Sequence, residues 1–191
     1  MAGQATARAT DILERPAPGT WELDVAHSSV GAVARHLMVS KVRGQFTRFS
    51  GVIRIGETPE VSSVVATIDA SSIDTGDERR DAHLRSPDFL DVDAHPTLEF
   101  RTTKVTEVGE TSLRADGALT IRGVSRPVSI DVEYLGLVND PFGNEKAVFT
   151  AKTEIDREDW GMTWNAALET GGVLVGRKLK IELEIQAVRK H

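Results

Sequence analysis

Apolar and polar residues alternate along most of the chain, and a period of two predicts β-strands rather than helices. The alternation is clearest over 27–53, where Val30, Ala32 and Ala34 fall on one face of a strand predicted over 28–37. The apolar residues of this face are small, and small side chains do not fill the interior of a closed sheet. This strand therefore predicts one wall of a cavity.

Similar alternating segments follow, and most are separated by short turns rich in Gly, Pro, Asn and Asp. The other strands are predicted over 21–25, 42–55, 61–73, 97–106, 112–121, 127–138, 146–155 and 177–187. Strands joined in this way predict an antiparallel meander, and a meander avoids exposed edges by closing into a barrel. We predict an all-β fold, an eight-stranded antiparallel up-and-down barrel that is either filled by side chains or holds one small ligand.

One segment breaks the alternation and predicts a short helical insertion near 76–86. Asp74 or Thr75 is the predicted cap, acidic residues occupy the first turn, and Pro87 follows the end. The charged residues of this helix, such as Arg80 and Asp81, leave three alternatives open. They form a solvated face, they pin the insertion to the barrel, or the arginines meet an anionic headgroup.

The composition fits one domain. The chain has 191 residues, of which 40% are apolar, so it is long enough and apolar enough to bury the core of a barrel. Residues 1–18 are small and polar and predict a flexible N-terminal tail, which leaves 19–191 as the barrel domain. The net charge of −6 argues against a nucleic-acid partner, which requires a basic patch.

No apolar run approaches the roughly 20 residues of a membrane span, so we predict no stable membrane insertion. The N-terminal segment carries no apolar stretch typical of an export signal, and the predicted location is cytoplasmic. The absence of cysteine excludes disulfides and thiolate chemistry.

Four histidines raise the question of a metal site: His27, His36, His83 and His95. No two of them have the i, i+4 spacing of a helical zinc site, and no cysteine assists them, so we predict no metal. His36 is in phase with the small residues of its strand. It is a candidate for hydrogen bonding to a ligand headgroup at the barrel mouth.

Catalytic motifs are not recognisable. The serine pairs at 28–29 and 71–72 lie in no G-x-S-x-G elbow, and the acidic residues at 156–159 are typical of a solvated loop. We therefore predict a protein without enzymatic activity.

Several motifs, found in one order over roughly 20–188, resemble the YceI-like family. They are VAHSSV (25–30), RHLMV (35–39), VRGQF (42–46), FSG (49–51), DASSIDTG (69–76), RDAHLRSPDFLD (80–91), HPTLEF (95–100), GALTIRGV (117–124) and IDREDWGM (155–162). The resemblance implies a lipocalin-like barrel with a helical insertion. It also implies a long apolar pore for a polyisoprenoid, an isoprenoid quinone or a fatty-acid derivative.

The resemblance further implies that members often form homodimers, that many are periplasmic, and that no settled enzymatic activity or cofactor accompanies the fold, apart from a bound isoprenoid or acyl lipid. The predicted function is non-enzymatic binding, sequestration or transport of a long apolar amphiphile. Two alternatives stay open: an interaction or stress-response protein with a filled barrel, and an enzyme acting on a lipophilic substrate. Members commonly carry bulkier residues at Ala32 and Ala34, so the width of the pore does not follow from the resemblance.

Strand phase selects the residues that face inward and form the predicted ligand-binding set. The set is Val30, Ala32, Ala34, His36, Phe46, Ile53, Leu98, Phe100, Leu119, Phe149, Trp160 and Trp164. Trp160, Met162 and Trp164 are either a core plug or the wall or lid of the pore. Trp21 is predicted to close the base of the barrel.

Overall fold

Strands account for most of the chain in the computed structural model, which describes residues 13–190. The strands are β1 (Gly19–Leu23), β2 (Ser29–His36), β3 (Ser40–Phe46), β4 (Phe49–Ile55), β5 (Ser63–Asp69), β6 (Ile73–Asp74), β7 (Thr97–Glu107), β8 (Ser112–Ile121), β9 (Val124–Asn139), β10 (Glu145–Asp156) and β11 (Val175–Arg189). The helix α1 covers Glu78–Arg85. Short 3₁₀ turns lie at Val25–His27, Pro59–Val61, Ala70–Ser72 and Arg157–Trp160. None of the helices within 13–190 has both the length and the apolar character needed to span a membrane.

The strands close into a barrel in which every pairing is antiparallel. The ring runs β1-β4-β5-β7-β8-β9-β10-β11, and β11 pairs with β1 to complete it. The other half of β11 pairs with β2, so β1 and β2 are two parts of one bent strand. In the same way, β3 and β4 are two parts of one bent strand, and β5 and β6 are two parts of another, because β3 pairs with β6 while β4 pairs with β5. With each bent pair taken as one strand, the predicted eight-stranded barrel is confirmed.

Two predicted strands are shorter than expected. The strand predicted over 42–55 is broken between β3 and β4, where the backbone N–H groups of Thr47 and Arg48 donate to the carbonyl and hydroxyl oxygens of Ser72, each at 3.1 Å. The strand predicted over 61–73 ends at Asp69, whose carboxylate accepts a hydrogen bond from the Ser71 N–H at 2.9 Å. In both places a side chain offers the backbone a partner outside the sheet, which alternation alone does not reveal.

The predicted helix exists, but its cap is a different residue. Asp77, not Asp74 or Thr75, lies at the N-cap and accepts a hydrogen bond from the Arg80 N–H at 3.0 Å. The helix is correspondingly shorter than predicted and begins at Glu78.

Among the charged residues of α1, Arg85 ties the helix to β6, whereas Arg80 and Asp81, the residues of the pinning alternative, bind Thr75 just before the helix. Asp81 is buried and accepts hydrogen bonds from the backbone N–H and the hydroxyl of Thr75, at 2.9 and 2.6 Å. Arg80 donates to the same hydroxyl at 2.7 Å. Arg85 donates to the carbonyl oxygens of Ser71 and Ile73, at 2.8 and 2.9 Å.

Apolar clusters lie at both ends of the barrel. At one end Trp21 is fully buried against Tyr134, Ala147 and Ala187, beside the end of β4. Its indole N–H donates to the carbonyl oxygen of Ala17 at 3.2 Å. At the other end, below α1, a second cluster of buried residues consists of Ala70, Ile73, Leu90, Leu98, Ile121, Ile155, Trp160 and Met162.

The described end of the predicted tail, 13–18, lies against the barrel. The Tyr134 hydroxyl donates to the Glu14 carbonyl oxygen at 2.5 Å, and Arg15 forms an ion pair with Glu107 at 2.9 Å. The part of the predicted tail at 1–12 lies outside the described residues.

Lys146 is a buried cation at the Trp21 end of the barrel. Its Nζ lies 2.7 Å from a carboxylate oxygen of Asp24 and 3.7 Å from one of Asp140. The hydrogen bond from Lys146 lowers the pKa of Asp24 below its ordinary value, although partial burial opposes this effect. Asp24 therefore contributes stability at neutral pH, and that contribution is lost as the pH falls through its lowered folded-state pKa.

We expect Lys146→Met to destabilise the protein at neutral pH, because it leaves Asp24 and Asp140 without their shared cation. The difference in unfolding free energy from the parent protein should shrink as the pH is lowered toward about 3, where carboxylates become protonated. Urea unfolding at a series of pH values measures it, and Lys152→Met on the exposed face of the same strand is the control. A difference that does not change with pH would contradict this role for the pair.

Candidate ligand-binding site

A cavity of 410 Å³ lies inside the barrel. Small-molecule sites in proteins commonly measure about 300–1,000 Å³, so the cavity is large enough for a ligand. Side chains from β2, β3, β4, β5, β7, β8, β9, β10 and β11 line it, and most of them are Val, Ile, Leu, Phe or Ala. The interior is therefore an apolar compartment rather than a fully packed core.

The wall formed by β2 faces the cavity as the alternation predicts. Ala32 pairs with Gly44 of β3 on one side and with Ile181 of β11 on the other. Val30 pairs with Phe46 and Leu183 in the same manner. The small side chain of Ala32 leaves space in the cavity, whereas the space beside Gly44 is occupied by the Thr75 side chain.

Eight of the twelve predicted binding residues line the cavity. They are Val30, Ala32, Phe46, Ile53, Leu98, Phe100, Leu119 and Phe149. Their contact with a ligand stays a prediction, but the structure brings them together around one space.

Ala34 and His36 do not line the cavity, although both are in phase with Ala32. A Cβ atom added to the neighbouring Gly44 would lie 2.9 Å from the Thr75 side chain, so the segment before α1 occupies this part of the interior. His36 is the last residue of β2 and pairs with Ser40 and Val175 at the end of the barrel. Thr75, just before α1, thus occupies the space beside Gly44, part of the region that strand phase assigned to the pore.

Trp160 and Met162 belong to the core at the closed end of the barrel, as the plug alternative predicted. Trp160 is 2% exposed, and its indole N–H donates to the Leu119 carbonyl oxygen at 3.0 Å. Trp164 lies elsewhere, against His83 and Phe89, with ring centroids 4.5 and 5.5 Å away. Neither tryptophan lines the cavity.

The cavity opens at the opposite end, through a rim that we call the mouth (13–16, 56–63 and 107–111). Glu57, Glu107 and Glu110 line the cavity there and are themselves exposed to solvent. The mouth lies at the Trp21 end of the barrel, so the mouth predicted at His36 and the base predicted at Trp21 are at the wrong ends. Alternation cannot distinguish the ends, because strand phase is the same at both.

Other lining residues were missed although they follow the same period of two in their own strands. They are Val64, Ala66, Ile68, Ala115, Ile130, Val132, Ala151, Ile181, Leu183 and Ile185. Residues paired across neighbouring strands point to the same side of the sheet. Extending the inward-facing positions of β2 from strand to strand would therefore have selected these residues.

The mouth is negatively charged. Arg15 is neutralised by its ion pair with Glu107, while Glu57 and Glu110 add two further carboxylates to the rim. Burial, together with the nearby charges of Glu14 and Glu145, raises the pKa of Tyr134 to about 12. A negative potential at the entrance disfavours an anionic group on an entering ligand.

A hydroxyl group at the mouth is held in structural hydrogen bonds. The Ser62 hydroxyl accepts from the Gly56 N–H at 3.0 Å and donates to the Thr58 carbonyl oxygen at 3.1 Å. These contacts stabilise the turn at the mouth and do not activate the hydroxyl as a nucleophile. Within residues 13–190 no three His, Asp or Glu side chains are grouped to hold a metal ion.

Comparisons with solved structures agree with this fold. A YceI protein from Campylobacter jejuni is 28% identical, with a TM-score of 0.71 over 82% of this chain and 90% of that one. BcnA of Burkholderia cenocepacia superimposes with a TM-score of 0.74 at 22% identity, over 86% of this chain and 98% of that one. A polyisoprenoid-binding domain from Saccharophagus degradans gives 0.70 at 15% identity, over 91% and 100%.

Sequence comparisons extend the likeness to curated proteins. UPF0312 protein SA2479 of Staphylococcus aureus is 40% identical over 162 residues, which cover 83% of this chain and 91% of that protein. The sequence profile of the YceI-like domain matches residues 21–187. The chain matches this profile over most of its length and folds into a closed eight-stranded barrel, and it belongs to the YceI-like family.

Proposed function

We propose that this protein binds a long apolar amphiphile, with the tail inside the barrel and the headgroup at the mouth, and that it sequesters or transports this ligand without chemical change. The observation that carries the proposal is the apolar cavity of 410 Å³, which, within residues 13–190, reaches the mouth at one end and meets the buried Trp160 cluster at the other. The likeness to a domain described as polyisoprenoid-binding supports it at the level of the fold.

Burial of the tail supplies the binding free energy. Each methylene group removed from water contributes about 0.8 kcal/mol, before the cost of association is subtracted. The wall residues Val30, Ala32 and Phe46 offer an apolar surface for such a tail and no charged side chain. The headgroup then remains among the polar residues of the mouth.

The charge of the mouth favours an uncharged headgroup. Glu57 and Glu110 repel a carboxylate or a phosphate, whereas a prenol or a quinone carries no charge to be repelled. Among polyisoprenoids, isoprenoid quinones and fatty-acid derivatives, we therefore favour the neutral prenyl compounds.

Replacing both rim carboxylates in Glu57→Gln/Glu110→Gln should strengthen binding of a prenyl phosphate by roughly 3- to 10-fold, because each lost repulsion is on the order of 1 kcal/mol or less at a wet surface. Binding of the matching prenol should not change. Competition for one fluorescent probe ligand measures both affinities.

Added salt should narrow the gap between prenol and prenyl phosphate in the parent protein, since it screens exposed charges. Glu154→Gln, on the exposed outer face of β10, is the matched control and should alter neither affinity. Equal or tighter binding of the phosphate by the parent protein would refute the headgroup preference, while leaving the tail site untouched.

The direct test of the binding function is mass spectrometry of an organic extract from the purified protein. We expect a prenyl or acyl species in an amount close to one per chain. A clean extract, combined with no uptake of added prenol, would overturn the proposal. Turnover of a lipophilic ester that is lost on changing Ser62 or Ser63 would instead support the enzyme alternative.

The homodimer and the cytoplasmic location stay predictions of the sequence. Neither is needed for the binding mode, because the cavity and the mouth are formed within one chain.

A further inference from the structure

The turn between β2 and β3 exposes three consecutive apolar residues. Leu37, Met38 and Val39 are 43%, 53% and 78% exposed. Isolated apolar residues are common on protein surfaces, but three at the tip of one hairpin form a continuous apolar point. We call residues 35–41 the β2–β3 tip.

The backbone of this tip is one that Leu and Met rarely adopt. Leu37 and Met38 have φ angles of 52° and 65°, and the Val39 N–H donates to the His36 carbonyl oxygen at 3.2 Å. A two-residue turn with positive φ at both central positions strongly favours Asn-Gly. Apolar side chains are therefore present here against the local conformational preference.

The tip is held in place by the neighbouring loop. The Leu37 N–H donates to the Leu174 carbonyl oxygen at 2.9 Å, and Met38 packs beside Gly172. The apolar side chains are thus presented in a defined orientation beyond the end of the barrel.

Two cations lie directly behind the apolar point. Arg35 and Lys41 are opposite each other in the β2–β3 register, and both are exposed. Like charges in this arrangement destabilise a sheet. In the part of the chain that the structure describes, neither side chain forms an ion pair.

We propose that the β2–β3 tip docks the protein onto an anionic lipid surface. Leu37, Met38 and Val39 enter the boundary between headgroups and acyl chains, and Arg35 and Lys41 contact lipid phosphates, which relieves their mutual repulsion. A symmetric contact between the tips of two copies fits less well, because it would bring Arg35 and Lys41 of each copy against the same cations of the other.

Docking by the tip leaves the ligand site accessible. The tip lies at the end of the barrel where β2 ends and β11 begins, whereas the mouth lies where β4 and β7 end. The overall negative charge is consistent with one-ended docking, since it keeps the rest of the surface away from the bilayer. The inference does not depend on what the cavity binds.

The test is co-sedimentation of the full chain with vesicles of phosphatidylglycerol and phosphatidylcholine in equal parts, beside vesicles of phosphatidylcholine alone. We expect binding to the anionic vesicles at low salt and much weaker binding to the neutral ones. Leu37→Asn/Met38→Gly replaces the apolar point with the residues that the turn prefers. This variant should lose at least tenfold in vesicle affinity while its unfolding stability stays equal or rises.

The charge contribution is measured separately. Arg35→Gln/Lys41→Gln should lose about fivefold in affinity per cation, and its binding should depend less on salt. Phe142→Ser is the matched control, because Phe142 is 88% exposed in a turn beside Asp140 at the other end of the barrel. It should bind the anionic vesicles as the parent protein does.

Equal binding of the parent protein and the Leu37→Asn/Met38→Gly variant would overturn the proposal, and so would no binding of the parent protein to anionic vesicles. If sedimentation equilibrium instead shows a dimer that only this variant abolishes, the tip is an interface between two copies and the lipid proposal fails.

Discussion

Ala32→Phe is expected to weaken binding of long-chain amphiphiles at least tenfold while the barrel stays folded. Ala32 lines the cavity, and its neighbours on the adjacent strands are Gly44 and Ile181. The added ring enters space that the ligand tail would occupy. Loss of about two buried methylene groups at about 0.8 kcal/mol each corresponds to roughly a tenfold change in affinity.

The fold should tolerate this substitution because the ring enters a cavity rather than a packed core, where overpacking costs about 1–3 kcal/mol. Thr150→Phe is the control, since Thr150 points outward between the cavity residues Phe149 and Ala151 of β10. Titration with one prenol compares the three proteins. If Ala32→Phe binds as tightly as the Thr150→Phe control, Ala32 does not line the binding pore.

Trp160→Ala is expected to have the largest effect on stability, a loss of about 3–5 kcal/mol in the free energy of unfolding. Trp160 is 2% exposed at the centre of the cluster that closes the deep end of the barrel. Truncation removes its packing against Ile121 and Ile155 and leaves the Leu119 carbonyl oxygen without its indole donor.

Trp164→Ala provides a matched control, because Trp164 is half-buried and lies outside this cluster, against His83. Its cost should be less than half that of Trp160→Ala in urea unfolding. Similar losses of unfolding free energy in the two variants would show that Trp160 is not the residue that closes the deep end of the barrel. If the Trp160→Ala protein still folds, it should accept a longer ligand tail than the parent protein.

Charge is distributed unequally between the two ends of the molecule. The mouth carries Glu57 and Glu110, whereas the β2–β3 tip carries Arg35 and Lys41. The net charge of −6 alone argues against contact with anionic lipid, but a local cationic site acts over a Debye length of about 10 Å and is not cancelled by distant carboxylates. Net charge is therefore a poor guide to the partners of either end.

Alternation predicted most of the fold, because a closed antiparallel barrel requires every strand to present one apolar face inward. It also identified Ala32 and Phe46 as inward-facing residues. The breaks at 47–48 and after Asp69 were not predictable in this way. The first depends on a hydrogen bond to a side chain that is distant in sequence, and the second on the local hydrogen bond between Asp69 and Ser71.

The extent of the pore was harder to predict than its walls. Ala34 has the phase of a cavity residue, but Thr75 and the insertion before α1 occupy the interior near it. Such filling depends on the tertiary placement of the insertion. The mouth was predicted at the wrong end, at His36, because polar turns occur at both ends of a barrel.

The central claim is that the cavity binds an apolar tail, and a chain-length series tests it most directly. Isothermal titration calorimetry with homologous primary alkanols should show the binding free energy improving by about 0.8 kcal/mol per methylene until the cavity of 410 Å³ is filled, and then levelling off. In Ala32→Phe the levelling should occur at a shorter chain. Affinity that does not depend on chain length, in either protein, would contradict a tail-binding pore.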